Sequence, residues 1–179
     1  ANRDLTQGLV WLTFSNTGDQ GAVFHVYDEL HLDRYPRRFT VEAGKMLSDA
    51  WAALADDQGA YSLWVLGANG FHRHFKGNLR DLERGANPEV RVCYDPAGPG
   101  VSLTVMNMGD QAAQVQVSAN AYRSDGPWNY TVPAGMQLEP AWSLVDSQGW
   151  YDFTLTMGDR YARRFAGRVE TGKDSVSDP

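Results

Sequence analysis

Two histidines, His72 and His74, stand two residues apart in "FHRHFKG" (71–77). Residues i and i+2 of a β-strand project from the same face, so the pair would set two imidazoles side by side, which is half of a metal site. A metal centre needs a third and usually a fourth ligand. The chain has four histidines, and the other two, His25 and His31, have nothing at metal-ligand spacing beside them. With one cysteine, Cys93, neither an internal disulfide nor a zinc site of several thiolates can form. Beside Val92 the thiol reads as a small core hydrophobe. The expectation is therefore no metal and no cofactor, with the histidines facing outward on a strand. An enzyme built on His72 and His74 is the rival reading.

Other chemistry is sparse. There is no Gly-x-Ser-x-Gly elbow, no phosphate loop and no His-Glu-x-x-His, and no catalytic residue is assigned. The acidic run "ADD" (55–57) reads as solvated loop or, less readily, as weak calcium ligands. Two arginines, Arg73 and Arg163, lie between aromatics. Buried there, each would need an acid or carbonyl partner; the competing role is an anion contact. Three aromatics sit beside turns: Tyr35 before Pro36, and Trp128 and Tyr130 after Gly126-Pro127. Such residues, next to basic neighbours, could touch a sugar ring or a lipid interface, or simply pack at the loop base.

Those residues must be positioned by a scaffold, and the scaffold is a duplication. "LTFSNTGDQGAVFHV" starts at Leu12 and "LTVMNMGDQAAQVQV" at Leu103, 91 residues later. The same offset carries Pro36 to Pro127, "TVEAG" (40–44) to "TVPAG" (131–135) and Trp51 to Trp142. One residue is then lost, so "YSLWV" (61–65) faces "YDFTL" (151–155) and "RHFKG" (73–77) faces "RRFAG" (163–167). In that register His72 and His74 become Ala162 and Arg164, whereas Arg73, Phe75 and Gly77 recur as Arg163, Phe165 and Gly167. Apolar alternation with period two predicts half-buried strands, and Asn, Gly and Asp between them predict turns. The fold expected is all-β: two tandem copies of a small antiparallel, immunoglobulin-like β-sandwich. We place the first repeat at 1–84, a linker or shared strand at 85–99, and the second repeat with its tail at 100–179.

The copies also compare faces. Positions apolar in both, such as Leu12/Leu103, Val26/Val117 and Leu63/Phe153, should line the two cores. The opposite parity is apolar in copy one (Trp11, Val23, His25, Tyr27, Trp64, Leu66) and polar in copy two (Ser102, Gln114, Gln116, Ser118, Thr154, Thr156). In an immunoglobulin sandwich the first, second and fifth strands share a sheet, which would gather those six residues of copy one into one patch. A contiguous apolar patch marks an interface.

Composition narrows the partners. The chain has 179 residues, 42% of them hydrophobic, and a net charge of −6. A packed core is within reach, and without a run of Lys or Arg nucleic acid is not an expected partner. No apolar run approaches the roughly 18 residues of a membrane helix. No signal peptide opens the chain, which reads as a piece of a longer exported one.

The Asn-x-Gly turn, "TVEAG" and "TVPAG", "GANGFHRHFKG", "SQGWYDFTL" and the closing "RRFAGRVETGKDSVSDP" together resemble the tandem C-terminal domains of bacterial phosphocholine-preferring phospholipases C, haemolytic and non-haemolytic. One departure is Ala68 in "GANG", where the family usually has Pro. The resemblance implies a non-catalytic tail of an enzyme exported by the twin-arginine route, hence secreted or periplasmic. Its partner would be an N-terminal phosphoesterase domain carrying metal and nucleophile, and a phospholipid or membrane surface is a further possible partner. The alternative is a free-standing carbohydrate- or membrane-binding module.

Overall fold

The structure, a computed structural model, describes residues 1–83, 85–95, 97–172 and 176. Arg84, where the first repeat was expected to end, and most of the closing "SVSDP" motif lie outside the described residues. In chain order the strands are β1 (Asn2–Asp4), β2 (Leu9–Ser15), β3 (Ala22–Asp28), β4 (Arg37–Val41), β5 (Met46–Trp51), β6 (Ala60–Leu66), β7 (His72–Asn78) and β8 (Pro88–Asp95). They continue as β9 (Gly100–Asn107), β10 (Ala113–Ala121), β11 (Trp128–Val132), β12 (Gln137–Leu138), β13 (Ala141–Ser143), β14 (Trp150–Met157) and β15 (Tyr161–Arg168). A helical turn, α1 (Ala53–Asp57), precedes β6.

The fold is all-β and antiparallel, as the alternation predicts. One sheet of eight strands, ordered β11-β10-β14-β15-β7-β6-β3-β4, runs through both copies. A second layer is split: β1-β2-β5 covers the copy-one half, and β9, flanked by β8, β12 and β13, covers the copy-two half. The copies join edge to edge where β15 pairs with β7. Arg73 faces Phe165, Phe75 faces Arg163, and His74 faces Arg164 at the centre. Because these are matched positions of the two repeats, the join is a local two-fold. Pairing the two edges removes the unpaired amides that each copy alone would expose.

Thirteen of the fourteen residues apolar at matched inward positions of the two copies, Leu12 to Leu155, are buried, and Phe24 packs partly buried beside them. Each copy has its own cluster, Val10, Leu12, Phe14 and Leu63 in one and Leu103, Val105, Phe153 and Leu155 in the other. The Asn-x-Gly motif does the same work twice. Asn16 Nδ2 donates to Gln20 O at 2.7 Å and Val41 O at 3.0 Å, while its Oδ1 accepts Gly18 N–H. Asn107 repeats this with Gln111 O at 2.7 Å, Val132 O at 3.0 Å and Gly109 N–H. The side chain thus closes the turn and ties it to the neighbouring strand, replacing backbone bonds that an irregular loop lacks.

Candidate functional site

On β6 the even-numbered residues face outward and Tyr61, Leu63 and Val65 face the core. The register places Tyr27 opposite Trp64, His25 opposite Leu66, Trp64 opposite His74 and Leu66 opposite His72. Val23 lies on the same face of β3, opposite Thr40. Five of the six patch residues are therefore gathered, together with both histidines. Trp11 is not among them. The turn 16–21 carries the chain from β2 in one sheet to β3 in the other, so the first strand does not share a sheet with the second and fifth, and Trp11 stands on the opposite outer surface.

The copy-one half of this outer face is incompletely satisfied. Val23 and Leu66 are 49% and 40% exposed. Trp64 stands edge-on to both histidine rings, at 6.0 Å from each. Its indole Nε1 and His72 Nε2 are buried with no hydrogen-bond partner among the described residues. Burial, followed by the Arg164 guanidinium, pushes His72 below the ordinary imidazole range; burial does the same to His74 against the opposing pull of Glu29. Both rings are thus neutral near pH 7. The copy-two half closes on itself. Arg164 holds Asp152 with two bonds, at 2.8 and 2.6 Å, and Asn120 donates to Asp152 and Thr154.

Glu29, His74 and Ser62 converge on that face. His74 Nε2 lies 2.6 Å from Glu29 Oε2 and 2.8 Å from Ser62 Oγ, and Ser62 Oγ donates to Glu29 at 2.6 Å. A hydrolase triad needs the acid on one imidazole nitrogen and the hydroxyl on the other. Here both sit on Nε2, so the hydroxyl proton goes to the carboxylate and the imidazole is not placed to take it. Among the described residues no group of three acid, His or Cys side chains could hold a metal. The acidic run at 55–57 is engaged elsewhere: Asp57 meets His31 at 2.9 Å and Asp56 meets Arg34 at 3.4 Å. Cys93, expected in the core, is exposed, because β8 is an edge strand and Cys93 lies on its outward side.

The repeated arginines are the clasp of the join. Arg163 is fully buried, and Arg73 is 6% exposed. Each reaches across to the other copy. Arg73 donates to Ala166 O at 2.7 Å and Tyr151 Oη at 3.0 Å; Arg163 donates to Lys76 O at 2.8 Å and Tyr61 Oη at 3.0 Å. Gly77 and Gly167 leave room for those phenols, since a Cβ at either would meet Tyr61 or Tyr151. Strand β8 breaks the symmetry. Its Glu89 receives Arg163 at 3.1 and 3.2 Å and Arg3 at 3.3 Å, whereas its Tyr94 takes the bond from Arg73. Among the described residues no carboxylate pairs with Arg73. Burial alone would raise the Glu89 carboxyl, but Arg163 and Arg3 hold it below the ordinary range. Sequence comparison found the arginines and glycines. Tyr61 and Tyr151 were visible as an identical pair, but Glu89 has no repeated counterpart and gave no signal.

The three turn aromatics do not form one site. Tyr35 is 98% exposed. Trp128 packs on Trp142 and Phe153, at 5.2 and 6.2 Å, and Tyr130 rests partly buried on the same core. Tyr35 precedes β4 and the other two lie on β11, at opposite edges of the long sheet.

The profile of the bacterial phospholipase C C-terminal domain matches residues 1–78 and 88–168. A non-hemolytic phospholipase C of Pseudomonas aeruginosa is 43% identical over 94% of the chain, and one of Burkholderia pseudomallei is 42% identical over 98%. A hemolytic phospholipase C of P. aeruginosa is 37% identical over 98%. The chain spans about a quarter of the length of each of these curated relatives. It belongs to the family of bacterial phospholipase C C-terminal domains.

Proposed function

We propose that this chain is a non-catalytic accessory region of an exported phospholipase C, built as two modules (1–84 and 100–179) with 85–99 between them. It docks on the catalytic domain through the outer face of copy one and so helps that domain engage phosphatidylcholine-type lipid. The observation that carries the reading is the one-sided face: Val23 and Leu66 exposed, Trp64 Nε1 and His72 Nε2 buried without partners among the described residues, where copy two presents a closed polar network. Buried polar atoms are normally satisfied, so this half lacks the closed network of copy two, and a partner bringing apolar cover would shield Val23 and Leu66. The family of the chain and its share of the relatives' length support a larger catalytic portion as that partner.

The experiment is deletion from the full-length enzyme. The shortened enzyme should lose secretion yield, stability or activity on phosphatidylcholine vesicles. The double variant Val23→Asp/Leu66→Asp should reproduce part of that loss. Unchanged secretion, stability and turnover on both vesicles and a soluble phosphocholine ester would end the proposal.

A further inference from the structure

We propose that the loop at 29–36 is a lipid-surface anchor, with Leu30, Leu32 and Tyr35 entering the interface of a zwitterionic bilayer; this rests on the reading of the chain as part of a lipid-cleaving enzyme. Leu30 is 45%, Leu32 65% and Tyr35 98% exposed. They crowd one short connection between β3 and β4, at the edge of the long sheet. The loop is not slack. Asp28 accepts Leu30 N–H at 3.2 Å, Arg34 N–H donates to His31 O at 3.0 Å, and His31 and Arg34 are tied to Asp57 and Asp56. Holding apolar side chains out in a fixed loop lowers the ordering cost of binding.

The second copy serves as a control. The aligned positions there are Ala121, Arg123 and Gly126, so the fold does not require apolar residues at this tip. The partner's chemistry follows from shape and charge. Tyr35 is almost bare, which suits a fluid interface better than a protein pocket. Tyrosine sits well at headgroup depth, and the neighbouring Arg34 and Arg37 are held to Asp56 and Asp49, so neither is an unpaired positive charge that would call for an anionic surface. Over residues 28–38 the charges cancel, Asp28, Glu29 and Asp33 against Arg34, Arg37 and Arg38. The chain as a whole is at −6, which opposes an anionic leaflet.

The test is co-sedimentation of the 179-residue chain with phosphatidylcholine vesicles. Wild type should bind at millimolar lipid. Leu32→Ser/Tyr35→Ser should lower the partition coefficient by about tenfold or more, from the apolar area withdrawn. Met136→Ser, at an exposed apolar residue of copy two, should leave it unchanged, and all three proteins should melt alike. Replacing part of the phosphatidylcholine by phosphatidylserine should not increase binding. Absence of wild-type binding, equal binding by the double variant, or binding confined to phosphatidylserine vesicles would each overturn the anchor. A double variant that instead weakens contact with the catalytic domain would assign the loop to a protein partner and overturn it too. The vesicle-binding outcomes do not bear on docking through the outer face, which the deletion and the Val23/Leu66 variants test separately.

Discussion

The two arginines of the join occupy matched positions, yet removing them should have unequal consequences. Arg163→Met strips two charge-assisted bonds from Glu89 and leaves that carboxylate with Arg3. Breaking a buried pair in this way costs about 3–5 kcal/mol. Arg73→Met leaves only neutral groups: two carbonyls, and two phenols that already hydrogen-bond each other at 2.9 Å. That loss should cost about 1–3 kcal/mol. The difference of about 2 kcal/mol corresponds to roughly 4–8 °C in melting temperature for a chain of this size. The assay is thermal unfolding of both variants at pH 7 and at pH 4. Glu89 has a folded pKa below its ordinary 4.5, so in the wild type its contribution is present above about pH 4.5 and is lost as pH falls through the folded value. In Arg163→Met burial dominates and raises the Glu89 pKa, so acid should relieve that variant and narrow the gap. Equal melting losses at pH 7, or a gap that does not narrow in acid, would refute the assignment of the asymmetry to Glu89.

Other outcomes follow from the same contacts. Asn107→Ala should destabilise by about 2–3 kcal/mol and Asn16→Ala by about 1 kcal/mol, because Asn107 is fully buried and Asn16 is not; urea unfolding measures both. Gly77→Ala should cost about 1–3 kcal/mol by pressing on Tyr61, and Tyr61→Phe in that background should cost less than the sum of the two singles, as a double-mutant cycle by urea unfolding would show. Ser62→Ala should leave phospholipase turnover of the full-length enzyme unchanged, since its hydroxyl bonds to Glu29 rather than being poised on His74; a large fall in turnover would contradict that geometry.

The sequence made some of this legible and not the rest. Period-two alternation marks one face of each strand, and the duplication shows which face is kept, so Leu12, Val26, Leu63 and their partners could be assigned to the cores. The Asn-x-Gly turns were readable because their side-chain chemistry is local. Sheet membership was not, because a turn such as 16–21 can return a strand to its own sheet or pass it to the facing one, and only packing decides. Alternation alone therefore groups Trp11 with residues that lie on the other sheet. The edge-to-edge join was equally invisible. It shows itself only indirectly, in arginines and tyrosines repeated without an evident partner, because each one's partner lies in the other copy, and in the glycines that make room for those tyrosines.

The docking proposed above would cover the outer face of copy one in the complete enzyme. Hydroxyl-radical footprinting read by mass spectrometry can compare Val23 and Leu66 in the 179-residue chain and in the full-length protein. We predict that their labelling falls several-fold in the full-length protein, while Met136 and Val145 on copy two label alike in both. Equal labelling of Val23 and Leu66 in the two forms would contradict the claim.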